Sequence, residues 1–296
     1  MAKYPFMQVD AFSDVALGGN PCAVVFEADG LDEATRLAIA KEMNLSETAF
    51  VLTPTTTDAA ARYFTPAEEI PLAGHPTIAT IYALIDSGRL KLEGDYRKIS
   101  LELKVGPIAV EIYAAKGVVQ RIVMSQKKPV FLSTHDAATV MPAFELRAED
   151  ALPGYPIQTV STGTPQLMIP VRDLDTLRRI TVQNGLYAEL RAAGDWFSPH
   201  LFCTTGATAE GRTFARHFGL PPDTMEDPFT GSATGGMAAY LWHHGLIDTP
   251  QFTAEQGHWM GRPGQAEVEV VGERDNIETV KVGGKAVTVI RGELIL

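Results

Sequence analysis

Several features that would assign a class at once are missing. The 296 residues hold two cysteines, Cys22 and Cys203. That is too few for a disulfide framework or a cysteine-rich zinc site. Each lies in an apolar run (PCAVVF, HLFC) and reads as a small buried hydrophobe. No stretch approaches the roughly 18 consecutive apolar residues of a membrane span. The opening MAKYPFMQVDAF lacks the basic-then-apolar layout of a secretory signal, so a cytoplasmic protein without membrane association is expected. No basic stripe exists. Lys and Arg number 25 against 36 Asp and Glu, a net charge of −11. KK at 127–128 and RR at 178–179 are isolated pairs, so the footprint of a nucleic-acid partner is absent. No Pro/Ser-rich linker divides the chain, so any domains are packed together rather than tethered.

What is present is mostly short β-rich runs, such as MQVDAF, PCAVVF, TAFVLTP, SLELKV, AVEIY, RIVMSQ, QLMIPV and EVEVV, many alternating apolar with polar as half-buried strands do. The stretch ETVKVGGKAVTVIRG predicts a hairpin across Gly283–Gly284. Amphipathic patterning predicts a helix over Asp32–Met43, and weaker patterns predict helices over Leu174–Asn184 and Leu186–Ala193. Two further helices differ in kind. HPTIATIYALIDSG, from His75, and ATGGMAAYLWHHG, from near Ser232, are apolar nearly all the way round. A helix hydrophobic on every face is buried on every face. In a β-rich chain that means a helix wrapped by a curved sheet. Two such helices and two sets of strands imply two domains of one plan. A short internal repeat agrees: GGNPCAVVF precedes GHPT, and STGTPQLMIPV precedes GSAT. The boundary is expected near residues 117–130.

Each buried helix starts after a glycine. Helix N-termini present unspent N–H groups and partial positive charge, and they bind anions such as carboxylates. Gly74 and Gly231 therefore mark either an anion seat or merely two tight turns. The titratable residues nearby are Glu47 in NLSETAF, His75, and Asp227 in EDPFTGSA. Each alone is compatible with a turn or a cap.

The blocks GGNPCAVV, NLSETAFV, RYFTPAEEIPLAGHPT and EDPFTGSATGG, in this order, resemble the signature blocks of the phenazine-biosynthesis PhzF family. VDAF, TGTPQLMIPV, RTFAR and QGHWMGRPG add weaker similarity, so that the resemblance covers essentially the whole chain. It implies the α+β fold of diaminopimelate epimerase: two similar lobes, each a curled, mostly antiparallel sheet around a central buried helix, with the site between them. On this plan residues 1–124 form the N-terminal lobe and 125–284 the C-terminal lobe, with the last strand, about 285–296, returning to the first. It implies that Glu47, His75 and Asp227 are catalytic, and that Asn20, Gly74, Gly231 and Ser232 bind substrate. It implies an isomerase, with Glu47 moving a proton on a small carboxylate such as trans-2,3-dihydro-3-hydroxyanthranilate or a related compound. It also implies no metal or cofactor, and a homodimer. Two departures matter. Racemases of this fold place a cysteine at each helix start, where this chain has Ala73 and Thr230. Pro71 stands where PhzF relatives often carry an acidic residue. The alternatives are an amino-acid racemase or epimerase with non-cysteine bases, and a non-catalytic ligand-binding protein on the same scaffold.

Overall fold

The computed structural model describes residues 1–296. The first lobe runs β1 (Lys3–Ala11), β2 (Asn20–Val25), α1 (Glu33–Met43), β3 (Glu47–Leu52), β4 (Ala59–Phe64), β5 (Glu69–Ile70), α2 (Gly74–Asp86), β6 (Tyr96–Leu103), β7 (Gly106–Ala115) and β8 (Val118–Ser125). The second runs β9 (Val130–His135), α3 (Ala137–Val140), β10 (Ile157–Ser161), β11 (Pro165–Pro170), α4 (Leu174–Arg178), α5 (Asn184–Ala193), β12 (Ser198–Cys203) and β13 (Thr213–Phe218). It continues through β14 (Glu226–Asp227), α6 (Gly231–His243), β15 (Gln251–Gln256), β16 (Gly264–Glu273) and β17 (Asn276–Gly284). The closing β18 (Ala286–Ile295) lies antiparallel to β1. No helix is long and apolar enough to cross a membrane.

The pairings repeat from one lobe to the other. In the first, β2 pairs parallel with β3 and β4 parallel with β6. In the second, β11 pairs parallel with β12 and β13 parallel with β15. The remaining pairs are antiparallel, and β8 joins β17 to make the two sheets continuous. The duplicated frame matches residue to residue. Glu47 opens β3 opposite Cys22, and Ser198 opens β12 opposite Gln166. Tyr63 sits beside Ile70 in one lobe, and His217 beside Asp227 in the other.

The central helices behave as their composition demands. In α2 every residue from Gly74 to Ile81 is buried, and in α6 every residue from Ala233 to Leu241. The side chains facing them come from all sides: Val9, Ile112 and Ile122 in one lobe, Val160, Met168 and Val280 in the other, within one continuous core. Each fully buried Ile or Val contributes about 1.5–3 kcal/mol, so the two helices anchor both sheets. The outer helices cover smaller cores. Ile39 and Ala40 of α1 pack on Phe50 and Phe64, and Leu177 of α4 and Tyr187 of α5 pack with Trp196 and Phe218.

Two sequence expectations are corrected. The helix expected over Leu174–Asn184 ends at Arg178. The β-branched Ile-Thr-Val run that follows leaves the helical path, and Ile180 turns into the outer core. Nor is Gly283–Gly284 a hairpin: both glycines belong to β17, and β18 pairs with β1 instead. The reason for glycine is crowding. A Cβ on Gly283 would lie 2.7 Å from Val123, and one on Gly284 would run into the Phe12 ring.

Candidate active site

The parallel β2–β3 register sets Glu47 at the mouth of its lobe, and the first turn of α2 brings His75 to it. His75 Nε2 lies 3.4 Å from Glu47 Oε2. Asp227 arrives from the other lobe on β14, held against β13. One donor atom each of Glu47, His75 and Asp227 lie within 4.8 Å of one another. The structure therefore brings together the three titratable residues singled out in the sequence.

Asn20 locks the arrangement. Its Nδ2 donates to Asp227 Oδ1 at 2.8 Å and to the Phe229 carbonyl at 2.8 Å, and lies 3.0 Å from His75 Nδ1. The Asn20 amide NH2 leaves no room for a second hydrogen at His75 Nδ1, so the imidazole proton is placed on Nε2, which has no hydrogen-bond partner although Glu47 Oε2 lies 3.4 Å away. Asp227 is well supplied with donors. Ser46 Oγ donates to its Oδ1 at 2.6 Å, and Thr230 Oγ1 to its Oδ2 at 2.5 Å. Gln256 braces the loop behind it, donating to the Asp227 carbonyl at 2.7 Å and accepting from Thr230 N at 3.1 Å. Glu47 is the opposite case: its Oε2 is buried and receives no hydrogen bond.

The electrostatics follow. Desolvation, then repulsion from Asp227 and Asp223, pushes the Glu47 carboxyl well above the usual carboxylate range. Desolvation also raises Asp227, but the bonds from Ser46, Thr230 and Asn20 oppose it. Desolvation pulls His75 down to about 3, so its ring is neutral. Of the two carboxyls, Asp227 is therefore the more readily ionised and Glu47 the one that holds a proton to higher pH.

The helix starts supply the complementary charge. The Cα atoms of Gly74 and Gly231 face each other so closely that a Cβ on Gly74 would sit 2.8 Å from Gly231 Cα and 2.9 Å from Ser232 N. Neither helix has a side-chain N-cap. The first N–H groups of both, at Gly74, His75, Gly231 and Ser232, therefore meet unspent at one cleft. The cleft encloses about 520 Å³ and is walled elsewhere by Leu72, Pro71, Tyr187, Trp196 and Phe197. The spacing of Glu47, His75 and Asp227 is one a divalent cation could bridge. However, both Asp227 oxygens are engaged by hydroxyl and amide donors, and His75 Nε2 bears the proton, which suits proton transfer better than ligation. Sequence reasoning missed Ser46, Gln256 and the aromatic wall. Ser46 adjoins Glu47 in LSETAF and Gln256 opens QGHWMGRPG, but only the folded geometry shows what they bind.

Comparisons with known proteins bear on the family and the fold. Residues 9–292 match the family model described as phenazine biosynthesis-like protein. The chain is 34% identical over 293 residues to the trans-2,3-dihydro-3-hydroxyanthranilate isomerase of Pseudomonas fluorescens, covering 98% of this chain and 99% of that one. It is also 34% identical over 307 residues to an uncharacterized isomerase of Clostridium acetobutylicum, covering 99% of each. Among solved structures, a PhzF-family phenazine biosynthesis protein from Bacillus anthracis matches over 100% of both chains with a TM-score of 0.89 at 30% identity. A probable proline racemase from Agrobacterium radiobacter shares the fold alone, with a TM-score of 0.66 at 13% identity. By sequence and fold, this chain belongs to the PhzF-like family of isomerases.

Proposed function

We propose that the protein isomerises a small carboxylate-bearing substrate by proton transfer through Glu47, without redox chemistry. The substrate carboxylate sits at the paired N-termini of α2 and α6. There the N–H groups of Gly74, His75, Gly231 and Ser232 also stabilise the negative charge that spreads into the substrate as a proton leaves. Glu47, in its ionised form, takes a proton from one carbon. The electron pair of that C–H bond moves through the conjugated framework, and Glu47 returns the proton to a second carbon. The neutral His75 ring stands beside Glu47 with Nε2 3.4 Å from Oε2, and Asp227 keeps Asn20, Ser46 and Thr230 in register around the pair. The compound named for the Pseudomonas fluorescens relative, trans-2,3-dihydro-3-hydroxyanthranilate, is the first compound on which to test this proton-transfer chemistry.

The observation that carries this reading is the contrast between two neighbouring carboxyls. Asp227 is hydrogen-bonded from three side chains, while Glu47 is desolvated, unbonded at Oε2 and raised toward the pH at which a base works best. A racemase reading fits less well. Inversion at one carbon needs bases on opposite faces, whereas Glu47, His75 and Asp227 cluster within 4.8 Å, and Ala73 and Thr230 stand where such enzymes place thiols.

The test is exchange in deuterium oxide with that compound and a panel of unsaturated amino and hydroxy carboxylates. Wild type is expected to wash deuterium into product carbon. Glu47→Gln, which keeps the shape but cannot accept a proton, is expected to lose about 10²–10⁴-fold in rate. Wild-type exchange in the variant overturns the assignment of Glu47 as base.

A further inference from the structure

Outside the catalytic cluster, the cleft carries one cation. Arg191, in the last turn of α5, is the single lysine or arginine among its lining residues, against the carboxylates of Glu47, Glu68, Glu69, Asp195, Asp223 and Asp227. Arg191 is half-buried, and its guanidinium lies over the Phe197 ring, 4.7 Å from the centroid. α5 fixes this position one turn earlier, where the buried Tyr187 donates from its hydroxyl to the Phe218 carbonyl at 3.0 Å and stacks on Trp196. Yet the guanidinium forms no ion pair and donates no hydrogen bond, whereas the partly buried Arg216 and Arg262 are each bonded two or more times. Asp223 feels its charge but lies beyond ion-pair distance.

A second donor on the same wall is also unspent. Gln166 is 3% exposed. Its Oε1 accepts from Ser198 N at 3.2 Å and from Ser198 Oγ at 2.8 Å. The backbone N–H can only donate, so this fixes which end of the amide is oxygen. The Nε2 is left without a partner beside the cleft. His217, 2.8 Å from Ser198 Oγ through its Nε2, holds the hydroxyl in place from behind. An amide NH2 on the cleft wall and a stacked guanidinium, both without acceptors, are complementary to oxygen acceptors on a ligand.

We infer that the C-terminal lobe provides a second anion seat, with Arg191 as its charge and Gln166 as a further donor along the wall, and that the substrate is a small dianion of the dicarboxylate class. This deepens the proposed function and rests on it, since the first carboxylate is the one seated at the helix starts. Arg191 selects between substrates and takes no part in moving the proton.

The experiment is calorimetric titration of the full chain with matched pairs, terephthalate against benzoate and glutarate against butyrate, in wild type and Arg191→Gln, with melting curves for both proteins. In wild type at least one dicarboxylate is expected to bind about tenfold or more tightly than its monocarboxylate, the worth of one charge-assisted hydrogen bond. In Arg191→Gln that ratio is expected to fall to near one. Equal wild-type affinities within both pairs overturn the inference and leave the isomerase reading standing. A ratio that survives in Arg191→Gln, together with a lowered melting temperature, makes Arg191 a structural counter-charge to Asp223 and also overturns it. If wild type binds none of the four acids, the carboxylate seat at the helix starts fails, and this subsite falls with it.

Discussion

Glu47 and Asp227 show how neighbours divide labour between chemically similar side chains. Both are desolvated, but three donors reward ionisation of Asp227 and none rewards it at Glu47 Oε2. The cost appears in stability. The folded-state pKa of Glu47 lies above its unfolded value of 4.5, so the folded chain holds a proton that the unfolded chain releases. This stabilisation is complete below the unfolded value and is lost as pH rises through the folded one. Glu47→Gln is therefore expected to melt close to wild type near pH 4 and above it near pH 8, the gap widening with pH, as differential scanning calorimetry will measure. A gap that is flat or narrows with rising pH contradicts the raised pKa. The same shift fixes the pH profile of the reaction. The base form of Glu47 is the active one, so kcat/KM is expected to rise with pH through the raised value. His75, neutral above about 3, adds no limb of its own.

At the scale of elements, α2 and α6 matter most where they meet. The contact is backbone on backbone: a Cβ at Gly74 would lie within 3.0 Å of three backbone atoms of the Gly231–Ser232 peptide. Gly74→Ala is expected to push the helix starts apart, costing about 1–3 kcal/mol as overpacking does and weakening benzoate binding in the same protein, read by thermal melts and calorimetric titration. Unchanged binding would separate the anion seat from this contact. The all-round apolar character of these helices was legible in the sequence, because no surface arrangement could satisfy it. The Asp32–Met43 region was legible too, since Asp32 caps the helix by accepting from Thr35 N at 2.8 Å. The path of the last strands was not. Gly283 and Gly284 resemble turn residues locally, and only long-range crowding against Val123 and Phe12 explains them. The same limit hid the shell of Ser46 and Gln256, and the Arg191 wall. Their roles depend on partners far away in the chain, while Glu47, His75 and Asp227 stood out through their motif blocks.

Across the whole molecule, the lobes are held together by the β8–β17 seam, by the helix starts, and by Gln126, which donates from Nε2 to the Gly231 carbonyl at 2.8 Å. The first lobe is completed only by β18, paired with β1 from Lys3↔Ile295 to Ala11↔Ala286. Deleting residues 286–296 strips one edge of β1. Backbone hydrogen bonds each worth about 0.5–1.5 kcal/mol net, summed along such a ladder, reach a large part of the roughly 5–15 kcal/mol that holds a domain folded. The truncated chain is expected to show a much lower melting temperature or to be insoluble, as circular dichroism and solubility will report; unaltered melting would mean that β18 is dispensable. The duplicated frame also bears on handedness. The position matching Glu47 in the second lobe is Ser198, an alcohol, where a symmetric pair of acids would reach a bound molecule from both sides. On the proposed reading, the proton departs and returns across a single face of the substrate, so a new stereocentre would carry one configuration, dictated by which half of the chain carries the acid at this position.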